Sequence, residues 1–331
     1  MLELSLEAIR LGKRGSSRPF QTIRSRAMNG IGIDVSKRRL DVGTSDGQTL
    51  QVSNDPSGFA ELDLWLRQRP SNQIVLEATG GYEQPVLDFL HKAGHPVVRA
   101  NALRARKLAQ GLGQRAKTDR LDAYALAQMA TLVKLPAYQP LEAWQQKLRE
   151  FVRARRQMIQ ALAVARQQQE MVGDRELRRL LQANITHLKT LVKRLGKQIA
   201  EQLAQQPQLT VLKSMKGVGP VVQAVLASYL PELGHISGKA IASLVGVAPM
   251  SHDSGTMRGK RSIHGGRAEI RQVLYMAGMS ALQHEPRIRD FYRSLRARGK
   301  EAKVAIVAVM RKMLVILNAR VRDAQSGPIP A

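Results

Sequence analysis

The sequence predicts a chain in three parts: an α/β domain, a central helical hairpin of coiled-coil type, and a mainly α-helical domain. Three observations predict it. From about Asn29 to Met129, short apolar runs bounded by turn residues alternate with segments of helical period. From about Leu141 to Leu203, glycine and proline almost vanish and apolar residues recur at alternating steps of four and three. From about Thr210 to Arg322, helical segments resume around one stretch rich in glycine, serine and cations. The expected boundaries are 29–135 for the first domain, 141–205 for the hairpin and 210–322 for the last. Residues 1–28 are expected to form a basic disordered extension, with Met28 a natural start, and residues 323–331 a disordered tail.

Gly30-Ile31-Gly32-Ile33-Asp34-Val35 reads as a short apolar strand ending in a carboxylate. A turn at Ser36-Lys37-Arg38 leads to a second strand, Leu40 to Gly43, and Asp46-Gly47 turns the chain into a third, Thr49 to Val52. A helix beginning at Pro56-Ser57-Gly58 sets Phe59, Leu62 and Leu66 on one face. Gln73 to Glu77 is a buried strand that again ends in a carboxylate, and a helix from Pro85 to Ala93 and a strand from Pro96 to Arg99 follow. Helices then cover Leu103 to Leu112 and Asp119 to Thr131. Three hairpin strands followed by alternating helix and strand is the order of the ribonuclease-H-like fold. In the hairpin, Leu181, Ile185, Leu188, Val192, Leu195 and Ile199 form a heptad seam, and Asp174 is placed to cap the helix that carries it. Beyond Lys216-Gly217-Val218-Gly219-Pro220, helices are expected to Leu230 and over Ser237–Val245, Ala268–Gln283, Pro286–Arg298 and Lys300–Ala319.

Composition narrows the function. The 331 residues carry 52 Lys+Arg against 26 Asp+Glu, a net charge of +26. Such an excess attracts polyanions and releases their counterions, so nucleic acid is the expected partner, whether through catalysis or through binding alone. No apolar run reaches the ~20 residues needed to span a bilayer. Cysteine is absent, which excludes disulfides and thiolate metal sites, and the histidines lack zinc-site spacing. A cytoplasmic, nucleoid-associated protein is expected.

The candidate chemistry lies in carboxylates and in one serine. Asp34 and Glu77 each end an apolar strand, where an α/β sheet places its ligand crevice. Asp119 and Asp122 are three apart at a helix start and share a side, just after Lys117. Four oxygen donors in one crevice suit two Mg²⁺ ions acting on a phosphodiester. Each acid also has an ordinary role open to it, as a turn former, an arginine partner or a helix cap. Asp41, Asp46 and Asp55 are assigned to the hairpin and turns. The stretch Gly246 to Arg267 can present Ser254 on a tight turn beside Arg258, Lys260, Arg261, Arg267 and Arg271, which suit phosphate. Ser254 reads either as a nucleophile or as a hydrogen-bond donor in a basic loop, with Ser251 and Ser262 as competitors. The amides of Gly217 and Gly219, at a helix start, suit a nucleic-acid phosphate or an ordinary helix–helix turn.

The motifs Gly32-Ile33-Asp34-Val35-Ser36-Lys37, Leu76-Glu77-Ala78-Thr79-Gly80 and Lys117-Thr118-Asp119-Arg120-Leu121-Asp122-Ala123 resemble the DEDD transposase domain, which is similar to the RuvC Holliday-junction resolvase. Gly217-Val218-Gly219, Leu244 to Pro249, Asp253-Ser254-Gly255 and Arg258-Gly259 resemble the partner domain of the same transposases, those of insertion-sequence family one-ten, which include the Piv invertases. The resemblance runs from Met28 to about Arg322; Ala102 departs from it, standing where relatives often carry proline. It implies that Asp34, Glu77, Asp119 and Asp122 hold Mg²⁺ and that Ser254 forms a transient phosphoserine link with DNA. It further implies donor and target DNA, a non-coding bridge RNA, and a homodimer or tetramer whose protomers complete one another's sites. The competing readings are a RuvC-like nuclease that uses water, a nucleic-acid-binding protein without chemistry, and a sugar-kinase-like ATPase. The last lacks its later glycine-rich phosphate loops here.

Overall fold

The computed structural model describes residues 29–113, 119–250, 259 and 261–325, with the backbone alone at 119 and 120. It divides into two compact units, Met1–Pro140 and Leu141–Ala331.

In the first unit, strands β1 (Ile31–Val35), β2 (Arg39–Thr44) and β3 (Thr49–Ser53) form an antiparallel meander. Helix α1 (Pro56–Arg67) leads to β4 (Ile74–Glu77), α2 (Gln84–Lys92) to β5 (Val97–Ala100), and α3 (Ala102–Gly111) and α4 (Asp119–Leu132) close the unit. The sheet order is β3-β2-β1-β4-β5, with β1, β4 and β5 parallel. Side-chain alternation gives this sheet two covered faces. Ile31, Ile33 and Val35 of β1, Leu40 and Val42 of β2, and Ile74 and Leu76 of β4 share a core with α1 and α2. Val75 of β4 and Val98 and Ala100 of β5 point the other way, into a core with Ala105, Leu126 and Met129 of α3 and α4. Each large side chain fully buried in this way stabilises the sandwich by roughly 1.5–3 kcal/mol.

The second unit begins with α5 (Ala143–Glu170) and α6 (Arg175–Ala204), which pack on each other in opposite directions: Ala165 meets Ile185 and Leu188 near the turn, and Leu148 and Val152 meet Ile199 and Leu203 at the far end. The Asp174 carboxylate accepts from the Leu177 N–H at 2.8 Å and caps α6 as expected. A 3-10 helix (Pro207–Ser214), absent from the sequence reading, leads to α7 (Pro220–Tyr229), α8 (Gly238–Val245), α9 (Ala268–His284), α10 (Pro286–Ala297) and α11 (Ala302–Gln325). The sequence reading separates 141–205 from 210–322, but the far end of the hairpin shares one core with α7, α9 and α11. Periodicity reports which face of a helix is apolar, and not which partner covers it.

Candidate active site

The strand register sets the first two carboxylates side by side. Parallel β1 and β4 pair Ile33 with Leu76, so the next step along both strands brings Asp34 beside Glu77. Both have the parity of the face covered by α3 and α4, because Glu77 lies two residues from Val75 and Asp34 two from Gly32. The antiparallel register pairs Asp34 with Asp41 and Asp41 with Gln51, and β4 pairs Glu77 with Ala100. One row therefore crosses the sheet as Gln51, Asp41, Asp34, Glu77 and Ala100.

Two glycines bring α4 down onto this row. A Cβ at Gly30 would lie 2.2 Å from the Ala127 carbonyl oxygen, and one at Gly32 would lie 2.2 Å from that of Ala123. Two residues along β1, about 6.7 Å, thus correspond to four residues back along α4, about 6 Å. The same step from Gly32 reaches Asp34 and the turn 119–123, the first turn of α4. Asp122 is half-buried there, and Asp119 is the first residue of the helix. The side chain of Asp119 lies outside the described residues, as does Lys117. Among the described residues, no group of three or more His, Asp or Glu side chains is drawn together tightly enough to hold a metal ion.

Of the three acids assigned to the hairpin and turns, two serve only there. Asp46 accepts from the Thr44 hydroxyl and from Asn29, and the Thr44 bond above all holds it below the usual carboxylate range. Asp55 caps α1, and the Ser57 hydroxyl and Gly58 N–H hold it at about 2. Asp41 belongs to the hairpin but also stands next to Asp34 in the row, held by Arg39 Nε at 2.9 Å and Gln51 Nε2 at 2.6 Å.

Glu83 is a residue that sequence reasoning missed. It is fully buried just before α2, with Arg99 Nη2 2.5 Å from its Oε1. Its Oε2 accepts from the backbone N–H groups of Thr79 (3.1 Å) and Gly81 (2.9 Å), so it ties down the loop that follows Glu77. Burial pushes this carboxyl up, but Arg99 and the backbone donors outweigh it and leave the group below its ordinary range. The available signal was a glutamate six residues after a strand-end carboxylate, two residues beyond a pair of glycines that adopt positive φ.

In the second unit, Ser254, Arg258 and Lys260 lie outside the described residues. On either side of them Met250 and Ser262 form a bridge, with the Met250 N–H donating to the Ser262 carbonyl at 2.9 Å. Arg261 is exposed beside that bridge. Arg267 and Arg271, expected to reach phosphates, are engaged within their own unit. Arg267 forms two 2.6 Å bonds with the Glu232 carboxylate and a third, at 2.8 Å, with the Tyr229 carbonyl. Arg271 donates to the carbonyls of Val245 (3.1 Å) and Gly265. Together they fix the end of the serine-bearing stretch against the ends of α7 and α8. Gly217, with φ of +89°, packs so closely on α9 that a Cβ would lie 2.5 Å from the Ala277 carbonyl oxygen. Gly219 stands at the N-cap of α7. Packing and backbone conformation thus account for the glycine at 217 without any ligand.

Comparison with known proteins finds two family models, the first of which runs past Pro140 into α6. Residues 31–183 match a family model of DEDD IS110 type described as a transposase, and residues 209–293 match one described as the transposase IS116/IS110/IS902 family. The chain is 30% identical over 311 residues to the pilin gene-inverting protein of Moraxella bovis, an alignment that covers 88% of this chain and 95% of that protein. The chain belongs to the IS110 family of transposases. This IS110-family transposase is therefore a DNA recombinase by class. It is also 29% identical over 308 residues to the pilin gene-inverting protein of Moraxella lacunata, covering 88% of this chain and 95% of that protein. Over 150 residues it is 29% identical to the insertion element IS110 uncharacterized 43.6 kDa protein of Streptomyces coelicolor, covering 43% of this transposase and 36% of that protein. Among the described residues, no helix of this transposase is long and apolar enough to cross a membrane.

Proposed function

We propose that this transposase cuts and rejoins DNA with a ribonuclease-H-like, RuvC-type carboxylate site made of Asp34, Glu77, Asp119 and Asp122, working with Ser254 as nucleophile. The observation that carries the carboxylate part is the sheet row: Asp34 and Glu77 are neighbours on one face, and Gly30, just before β1, and Gly32 within it let α4 approach so closely that its first turn comes over them. The donor set fits Mg²⁺, because hard carboxylate oxygens without thiolate or clustered imidazole are what that cation prefers. Two bound ions would supply Lewis-acid polarisation of the phosphoryl oxygens and stabilise charge on the entering and leaving oxygens.

The remaining work falls to the chain. The row of acids fixes where the scissile phosphate sits, and Glu83 holds the loop behind Glu77 in place. The Ser254 hydroxyl attacks phosphorus: the Oγ–P bond forms, the P–O bond to one strand end breaks, the serine proton is lost, and the departing oxygen leaves as a hydroxyl. Attack on the phosphoserine by a hydroxyl of another strand reverses these changes and rejoins DNA without external energy. Donor and target DNA are the substrates. The excess of 52 cationic over 26 acidic residues supports a ribonucleoprotein in which a bridge RNA pairs with both DNAs while the protein holds backbones. Acids and serine lie in different compact units, and we assign their meeting to a homodimer or tetramer in which each site draws on two protomers.

The test is adduct trapping on the element's own DNA. Wild type is expected to yield a covalent protein–DNA species, and Ser254→Ala to yield none and no recombinants while binding DNA as before. Recombination by Ser254→Ala at the wild-type rate would overturn the serine step. Cutting without any adduct in the wild type would favour attack by water instead.

A further inference from the structure

Helix α3 carries exposed cations and no acid. No acidic residue occurs in the sequence between Asp88 and Asp119. Within that gap, α3 presents Arg104, Arg106 and Lys107 to solvent, and among the described residues none of the three side chains makes a hydrogen bond or ion pair. The helix is nonetheless held firmly. The Asn101 side chain caps it by accepting from the N–H groups of Leu103 (3.0 Å) and Arg104 (3.3 Å), and Ala105 and Ala109 are buried in the core shared with α4. Its position follows from topology. It leaves the carboxyl end of β5, beside the end of β4 that carries Glu77, and packs on the helix that carries Asp122.

We propose that the exposed face of α3 grips the phosphodiester backbone of the DNA strand that enters the carboxylate site, with Arg104 and Lys107 on consecutive phosphates. The inference rests on the carboxylate reading for where that strand goes. Arg104 and Lys107 are three residues apart, about 4.5 Å along the axis, on one side of the helix. A strand with regularly spaced charges can meet both, whereas a compact anion would need cations converging on one point. Another copy of this chain is a poor occupant, since it carries the same +26 charge. Three guanidinium and ammonium groups that have no side-chain partner among the described residues also make physical sense beside the proposed carboxylate site. Cations next to the site attract the flanking phosphates of the strand and hold it in place without touching the reacting atoms. Arg104 and Lys107 are thus positioning residues.

The experiment uses the full chain, a fluorescein-labelled DNA duplex and a labelled RNA hairpin, with anisotropy read across a potassium chloride series. R104E/K107E is expected to lower DNA affinity at least tenfold at low salt, and R104Q/K107Q by less. The slope of log affinity against log salt should fall by about one for each phosphate that the protein no longer neutralises. Because the chain has no cysteine, Lys107→Cys carries a photo-crosslinker at a single position, and its crosslinks are expected on DNA. An unchanged DNA slope, or loss and crosslinking confined to the RNA, would overturn the proposal. Failure of the carboxylate reading shows separately: Asp34→Asn would then recombine normally, whatever the α3 variants do to binding.

Discussion

At Glu83 a carboxylate is fully buried between a guanidinium and two backbone donors, where it acts on the loop behind Glu77 and not on substrate. Glu83→Gln keeps the shape and removes the charge, leaving Arg99 without its ion pair. The expected cost is about 1–3 kcal/mol at neutral pH, read as a lower urea midpoint. The sign of the pH dependence follows from the lowered folded value of this carboxyl. Its stabilisation is complete above the ordinary glutamate range and disappears as pH falls through the folded value. The gap between wild type and variant should therefore close on acidification; a gap that stays constant would show that Glu83 is not held as a paired anion. The places of Asp34, Glu77 and Asp122 in the fold were legible in the sequence, because each sits at the end of an apolar strand or the start of a helix. Glu83 was not, because its partners are backbone groups and an arginine on another strand. The free-cation reading of Arg267 failed to anticipate Glu232 for the same reason: a partner 35 residues away leaves no local trace.

The contact between β1 and α4 is set by what the strand lacks. Gly32→Ala would push a methyl group to 2.2 Å from the Ala123 carbonyl, against backbone that cannot swing aside. Helix and strand must then part, at a cost of about 1–3 kcal/mol or more, and Asp122 must move relative to Asp34. The expected outcome is a lower melting temperature together with a loss of recombination greater than the loss of folded protein. Activity that merely tracks the folded fraction would separate the site from this contact. Most elements were legible from period and turn chemistry, with small shifts at their ends: β5 runs over Val97–Ala100, and α2 begins at Gln84. The last helix is the exception: α11, expected to stop at Ala319, runs to Gln325, into the stretch expected to be a disordered tail, because its apolar face continues to Val321 against the core. The 3-10 helix at Pro207–Ser214 and the bridge from Met250 to Ser262 were not legible, since neither has a side-chain period.

For the molecule as a whole, the proposed site draws on two compact units, and assembly decides whether it is complete. If each site takes its acids from one protomer and its serine from another, two dead proteins can rescue each other. Co-expressed Asp34→Asn and Ser254→Ala should recover about a quarter of wild-type recombination, the share of intact sites when a two-fold dimer pairs at random. A mixture as inactive as its parts would place the whole site within one protomer. The change near Pro140 from strands and glycines to long glycine-poor helices is visible in the sequence. That the base of α5 and α6 is sealed into the core of α7, α9 and α11 is not, because each apolar stripe is compatible with several partners.

The hydrogen-only positions at 30 and 32 have a practical consequence for anyone grafting the proposed site elsewhere. Acids copied onto another scaffold at matching sequence intervals would sit at the ends of segments held a side chain's width apart. The transplantable piece is the bare strand with its alanine-lined helix, moved as one cassette. The carboxylates come along as passengers on a spacing they do not create.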